Sequence, residues 1–156
     1  CIPISLASVM DAPLVSAWDI SEEALKVAVA NAELNSVNVD FSRVDVLSDE
    51  IPDVKVDILV SNPPYITDSE KSEMERNVLD WEPGLALFVP DNDPLKFYRR
   101  IAEIGKDILD NNGLLYFEIN RAYGKDTVDM LLGLEYRDVE LRKDISGNDR
   151  MVKAHI

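Results

Sequence analysis

The 156-residue sequence predicts one α/β domain with parallel β/α units and a closing antiparallel hairpin. Three observations predict it. Short apolar runs alternate with stretches of helical periodicity. Three consecutive strand candidates end in a polar residue at their carboxyl side, namely Asp19, Asp45 and Asn62. The last two strand candidates alternate in period two around Ser146-Gly147-Asn148-Asp149, which suits a hairpin turn.

The elements follow in order. Ile2 to Met10 reads as helix, and Leu14 to Asp19 as a short buried strand. Ser21 is a good N-cap, with Glu22 and Glu23 placed where the positive helix end favours acids. Ala24, Leu25, Ala28 and Ala32 form one helical stripe, and Asn35 begins a turn. Val39 to Val44 and Val56 to Ser61 are the next strands. The second of these stops at Asn62-Pro63-Pro64-Tyr65, because proline has no N–H for a ladder. An irregular stretch follows, with a short helix expected over Lys71 to Leu79. Asp93-Pro94 carries the cap-then-proline signature of a helix start. Tyr98, Ile101, Ala102, Gly105, Ile108 and Leu109 form the buried face, and Asn112-Gly113 is the expected end. Leu114 to Ile119 reads as a buried strand, Val128, Leu131 and Leu132 as a short helix, then Tyr136 to Arg142 and Met151 to Ile156 as the hairpin.

Composition narrows the function classes. Apolar residues make up 46% and charged residues 29%, a globular balance with no run long enough to span a bilayer. The first residues carry no basic segment, and Pro3 and Ser5 interrupt their apolar stretch, so no secretory leader is expected. Sixteen basic against thirty acidic residues leave a net charge of −14, which argues against a phosphate-backbone partner. The lone Cys1 suits a reducing cytoplasm. No His/Cys cluster has metal-ligand spacing, so no metal is expected. His155, the sole histidine, reads as an exposed terminal residue and leaves no Ser-His-Asp arrangement.

Asn62-Pro63-Pro64-Tyr65 is the most informative segment. Ligands of open α/β sheets bind off the carboxyl ends of strands. Two prolines stiffen this turn and leave carbonyls without local donors, and an asparagine side chain both donates and accepts. The Asn62 oxygen and the Pro63 carbonyl can together hold an NH₂ group, with Tyr65 packing on a planar neighbour. Two such acceptors raise electron density on an amide-like nitrogen. They also stabilise the positive charge that grows as that nitrogen attacks a sulfonium methyl. The bland alternative is a rigid turn leaving a strand. Asp19 can accept from a ribose diol, or merely cap the following helix. Asp45 can accept from an adenine amino group while the Val46 N–H meets the ring, or be an exposed turn residue. Glu118 can orient the site or make a structural contact, and Trp18 and Trp81 read first as packing residues.

With these residues in hand, the chain resembles the release-factor glutamine N5-methyltransferases, the HemK/PrmC family, over essentially its whole length. Asn62-Pro63-Pro64-Tyr65-Ile66 is similar to the family's substrate motif. Leu14 to Asp19 resembles its ribose-binding strand, and Asp45-Val46 its adenine-side turn. Trp81-Glu82-Pro83 with Leu85-Ala86-Leu87 is similar to a segment that follows the motif in the family. Asp144 and Asn148-Asp149-Arg150 resemble its C-terminal hairpin signature. The motif alone is shared with DNA-adenine and ribosomal-guanine methyltransferases, and the last two segments narrow the choice.

The resemblance implies a class I S-adenosylmethionine-dependent methyltransferase (Rossmann-like) sheet. It implies S-adenosyl-L-methionine as cofactor and the glutamine of a Gly-Gly-Gln loop in peptide-chain release factors as substrate. Asn62, Pro63, Pro64 and Tyr65 would form the catalytic turn, and Asp19, Asp45, Val46 and Asn62 the cofactor contacts. Residues 1–156 would be the catalytic domain, beginning just after the glycine-rich cofactor loop. The first strand and the N-terminal helical substrate domain would lie outside it, and the chain alone would bind cofactor poorly. One departure is Asn120, where the family usually has glycine. Competing readings are a nucleic-acid N-methyltransferase using the same pocket and a non-catalytic binding protein of the same fold.

Overall fold

The computed structural model describes residues 1–67, 69–70 and 88–156. The expected helix over Lys71 to Leu79 and the Trp81-Glu82-Pro83 and Leu85-Ala86-Leu87 segments lie outside the described residues. The chain divides into two units, Cys1–Ile51 and Pro52–Ile156.

In the first unit, α1 (Ile2–Val9) carries Pro3 in its first turn, where a missing N–H costs nothing. β1 (Ser16–Asp19), α2 (Glu22–Leu34) and β2 (Asp40–Arg43) then form a right-sized β/α/β unit. β1 and β2 run parallel, with Ser16 opposite Asp40 and Asp19 opposite Arg43. The Ser21 hydroxyl caps α2 by accepting from the Ala24 N–H at 3.2 Å. Asn35 closes the helix, and Ser36 turns the chain with a left-handed φ of 53°. Two expectations are corrected. The strand does not begin at Leu14, which is fully exposed, and no residue of β1 is buried. Leu14 lies two residues ahead of the first paired position, and β2 is the one strand β1 pairs with among the described residues. The helical stripe holds for Leu25, Ala28 and Ala32, while Ala24 in the first turn faces solvent.

The second unit holds the packed core. Its elements are β3 (Val56–Ser61), β4 (Ile66–Thr67), β5 (Phe88–Val89), α3 (Lys96–Ile108), β6 (Leu109–Glu118), a 3-10 turn (Arg121–Tyr123), α4 (Gly124–Gly133), β7 (Arg137–Lys143) and β8 (Asp149–His155). The main sheet has the order β3-β6-β8-β7. β3 is parallel to β6, whereas β6/β8 and β7/β8 are antiparallel, as the closing hairpin requires. A small parallel pair, β4 with β5, sits beside the Asn-Pro-Pro-Tyr segment.

Every residue of the expected face of α3 is buried, as is Leu109 just beyond its end. Leu115, Phe117 and Ile119 alternate inward from β6 and its continuation. Tyr98 and Phe117 pack edge to face, with centroids 5.3 Å apart. The Tyr136 hydroxyl donates to the Ala102 carbonyl at 2.7 Å, and burial pushes its phenol up to about 12. Gly105 is what lets that hydroxyl in, because a Cβ there would collide with it.

Both expected ends of α3 move. Asp93 does not cap the helix, which starts at Lys96. Its carboxylate instead takes the Arg99 guanidinium on both oxygens, each at 3.1 Å, leaving Pro94 in the preceding turn. The helix stops at Ile108, and Asn112-Gly113 falls in an irregularity of β6, where the pairing jumps from Val56–Leu109 to Ile58–Leu114. Asn112 takes a left-handed φ of 68°, and a Cβ at Gly113 would press on the Asp110 carbonyl. In α4 the buried residues are Gly124, Thr127 and Leu131, whereas Val128 is half-buried and Leu132 exposed. His155 is half-buried within β8, opposite Leu114, rather than exposed. Among the described residues no helix is long and apolar enough to cross a membrane.

Candidate active site

β3 delivers the chain to Asn62 at its carboxyl end, with Ser61 still paired to Phe117. Two consecutive prolines then remove two backbone donors, so the turn cannot be held by a local ladder. Asn62 is exposed, Pro63 is buried, and Pro64 and Tyr65 are half-buried. Among the described residues neither the Asn62 amide nor the Pro63 carbonyl has a hydrogen-bond partner. β4 follows at once and ties Ile66 and Thr67 to Phe88 and Val89.

Tyr65 is gripped at both ends. Its hydroxyl donates to Glu118 Oε1 at 3.1 Å, and its carbonyl accepts from Asn120 Nδ2 at 3.1 Å. Burial first, then the charge and hydrogen bond of Glu118, raise the Tyr65 phenol above its ordinary value, against an opposing pull from Arg150. Asn120 is 6% exposed and itself fixed. Its N–H donates to the Tyr98 hydroxyl at 3.3 Å, and its Oδ1 accepts the Ala122 N–H at 3.0 Å. Its Nδ2 also reaches both Glu70 oxygens, at 3.0 and 3.2 Å. Glu70 Oε2 further accepts from the Thr67 N–H at 2.9 Å and the Thr67 hydroxyl at 2.8 Å. Burial works to raise the Glu70 carboxyl, but the bonds from Thr67 and Asn120, with Arg121 nearby, hold it below the usual range.

The hairpin signature reaches this strand end. Asp144 Oδ1 accepts the N–H groups of Ser146 and Asn148, at 2.9 and 3.0 Å, around Gly147 with φ 83°. Asp144 Oδ2 pairs with Arg150 at 3.5 Å, and the Arg150 carbonyl takes the Ile119 N–H at 2.9 Å. The turn residues therefore brace the strand next to Asn120.

Asp19 and Asp45 come together within the first unit. The Asp19 carbonyl accepts the Val44 N–H at 3.1 Å, so both carboxylates stand at the same end of the β1/β2 pair. Each spends one oxygen on its own turn: Asp19 on the Ser21 N–H at 2.8 Å, Asp45 on the Leu47 N–H at 2.9 Å. Both remain exposed, and Val46 is half-buried. A carboxylate has lone pairs beyond one such bond. Asp45 thus behaves as the turn residue its local reading expected, whereas Asp19 does not cap α2 itself but holds the N–H of its cap residue, Ser21. Glu70 was not singled out from the sequence and Asn120 only as a departure, since their partners lie about fifty positions away.

The chain is 57% identical to the release factor glutamine methyltransferase of Bacteroides thetaiotaomicron over 156 residues, which is 99% of this chain and 56% of that protein. It is 49% identical to the protein of the same description from Flavobacterium psychrophilum, covering 99% of this chain and 54% of the relative. The chain thus spans about half the length of the curated relatives it matches. A solved methyltransferase from Pyrococcus furiosus superposes with a TM-score of 0.69 at 15% identity, over 97% of this chain and 66% of that one. That likeness shows the fold, a class I Rossmann-like methyltransferase fold. The methyltransferase small domain model matches residues 1–80, a stretch that contains β1, β2, β3 and the whole Asn-Pro-Pro-Tyr turn. The chain therefore belongs to the methyltransferase small domain family.

Proposed function

We propose that this chain is the catalytic part of an S-adenosylmethionine-dependent protein-glutamine N5-methyltransferase, acting on the Gly-Gly-Gln loop of peptide-chain release factors in the cytoplasm. The observation that carries the reading is a turn with two acceptors, Asn62 Oδ1 and the Pro63 carbonyl, that have no partner among the described residues, in a chain 57% identical to a release factor glutamine methyltransferase. The relatives' greater length supports reading residues 1–156 as the catalytic domain of a longer enzyme.

The donor set fits the cofactor. Asp19 keeps acceptor capacity for a ribose diol, and Asp45 for an adenine amino group, with Val46 beside it. When bound, S-adenosylmethionine supplies an electrophilic methyl on a sulfonium centre. The protein's own contribution lies in the turn. A glutamine amide nitrogen is a weak nucleophile, because its lone pair is shared with the carbonyl. Asn62 Oδ1 and the Pro63 carbonyl accept its two hydrogens, hold it in one orientation and stabilise the positive charge that develops on it. No strong base is needed, since the alkylated nitrogen is acidic enough to lose its proton to water. Tyr65 would form a wall of the pocket, its ring fixed by the hydrogen bond from its hydroxyl to Glu118.

The test is methyl transfer by the full-length protein to an unmodified release factor, read by mass spectrometry. A methyl on the Gly-Gly-Gln glutamine, lost in Asn62→Ala, is the expected result. Transfer to DNA or ribosomal RNA and none to protein would replace this reading with a nucleic-acid substrate.

A further inference from the structure

We infer that Asn120 is a positioning residue for the Asn-Pro-Pro-Tyr turn: its side-chain amide fixes the Tyr65 carbonyl and, through it, the direction of the two acceptors upstream. The inference rests on the functional reading above and adds a part to its site. Pro63 and Pro64 donate no N–H, so the turn must be anchored by side chains from elsewhere. Glu118 and Asn120 supply the anchors. They stand two positions apart at the end of β6 and reach the same residue, one at the Tyr65 hydroxyl and one at its carbonyl.

Asn120 is itself held so that only one orientation works. Its Oδ1 takes the Ala122 N–H, which turns Nδ2 toward three acceptor oxygens, the Tyr65 carbonyl and both Glu70 oxygens. Two amide hydrogens therefore serve two different partners. Glu70 in turn holds Thr67 by its N–H and hydroxyl, so the far side of the turn is tied to the same amide. The Asn120 backbone, φ −66° and ψ 128°, is ordinary for any residue, and the side chain is retained without conformational strain.

A reciprocal swap separates positioning from mere bracing. In Asn120→Ala of the full-length protein, kcat falls by about 10- to 100-fold, the loss expected of a misplaced acceptor pair, with KM for S-adenosylmethionine within about twofold. In Asn120→Asp/Glu70→Gln the contact between 120 and 70 is rebuilt with donor and acceptor exchanged. The carboxylate can still accept the Ala122 N–H, but the Tyr65 carbonyl has no donor. The expected result is a thermal midpoint near wild type with kcat still low. Recovery of kcat together with the midpoint would overturn the inference, as would a wild-type kcat in Asn120→Ala. Should the wild-type protein transfer no methyl to glutamine, the functional reading fails by itself. The positioning is then decided by the ¹³C carbonyl resonance of Tyr65 and the amide resonance of Asn62. Movement of both in Asn120→Ala upholds it, and unchanged resonances overturn it.

Discussion

Among the described residues, the two units differ in how much of their apolar surface they cover themselves. In Cys1–Ile51 the buried apolar residues are Ala32 and Val44, while Val9, Leu14, Val27 and Leu34 stand well exposed. In Pro52–Ile156 a four-stranded sheet, α3 and α4 enclose Tyr98, Ala102, Leu115, Phe117, Ile119 and Leu131 almost completely. The candidate cofactor residues Asp19, Asp45 and Val46 belong to the first unit, and the candidate substrate turn to the second. A two-stranded sheet is marginal on its own, whereas a packed core fixes side chains to within fractions of an ångström. The turn proposed to aim acceptors at a reacting atom is thus tied, through Tyr65 and Asn120, to the packed core of the second unit. The residues proposed to bind a ribose and a base stand at the ends of the two short strands of the first unit.

That contrast predicts different kinetic signatures for the two carboxamide and carboxylate sets. Asn62→Ala should lower kcat by about 10²- to 10³-fold, the usual cost of losing a preorganised acceptor or donor at developing charge. Asp19→Ala should act mainly on KM for S-adenosylmethionine. Steady-state kinetics of the two variants, with circular dichroism melts as a folding control, would break the contrast if both changed kcat alike.

Stability should divide along the same line. Leu115 has no exposed surface, and Leu115→Ala should cost about 2–5 kcal/mol in urea unfolding. Leu14→Ala, at a fully exposed position, should stay within about 0.5 kcal/mol. Tyr136→Phe falls between them. It removes the 2.7 Å bond that the Ala102 carbonyl accepts beside its place in the α3 ladder, which should cost about 1 kcal/mol. A cost near zero would mean that the helical bond alone satisfies this carbonyl.

The buried face of α3 is legible because its apolar periodicity matches its cover, whereas β3, which has no buried residue, is legible from its apolar run and the two prolines that stop it, and the hairpin from its turn residues. Leu14 was misread as buried because an apolar run implies burial only if a neighbour covers it. Asp93 was misread as a cap because Arg99, one and a half turns on, competes for its carboxylate. Asn112-Gly113 looked like a helix stop, yet a left-handed Asn and a crowded Gly serve a strand irregularity equally well. In the site, Asn62 to Tyr65, Asp19 and Asp45 were legible as strand ends. The Glu70–Asn120–Tyr65 tie was not, since no local pattern reports a contact across fifty positions.

The smallest expected effect concerns that tie. Glu70 is held below the ordinary glutamate range by hydrogen bonds to its charged form, against the opposing push of burial. The unfolded chain then binds its proton at higher pH than the folded one. The stabilisation is therefore complete above the unfolded glutamate value and is lost as pH falls through the depressed folded value. Asn120→Ala removes one of the donors that depress it, so the midpoint of the Glu70 carboxyl ¹³C resonance should move up toward the ordinary value. Thr67 keeps its two bonds in that variant, so the shift should be partial. An unmoved midpoint would mean that Thr67 and Arg121, against burial, set the charge on Glu70 without Asn120. The Asn120 Nδ2 would then act on the turn through the Tyr65 carbonyl and not through the charge of Glu70.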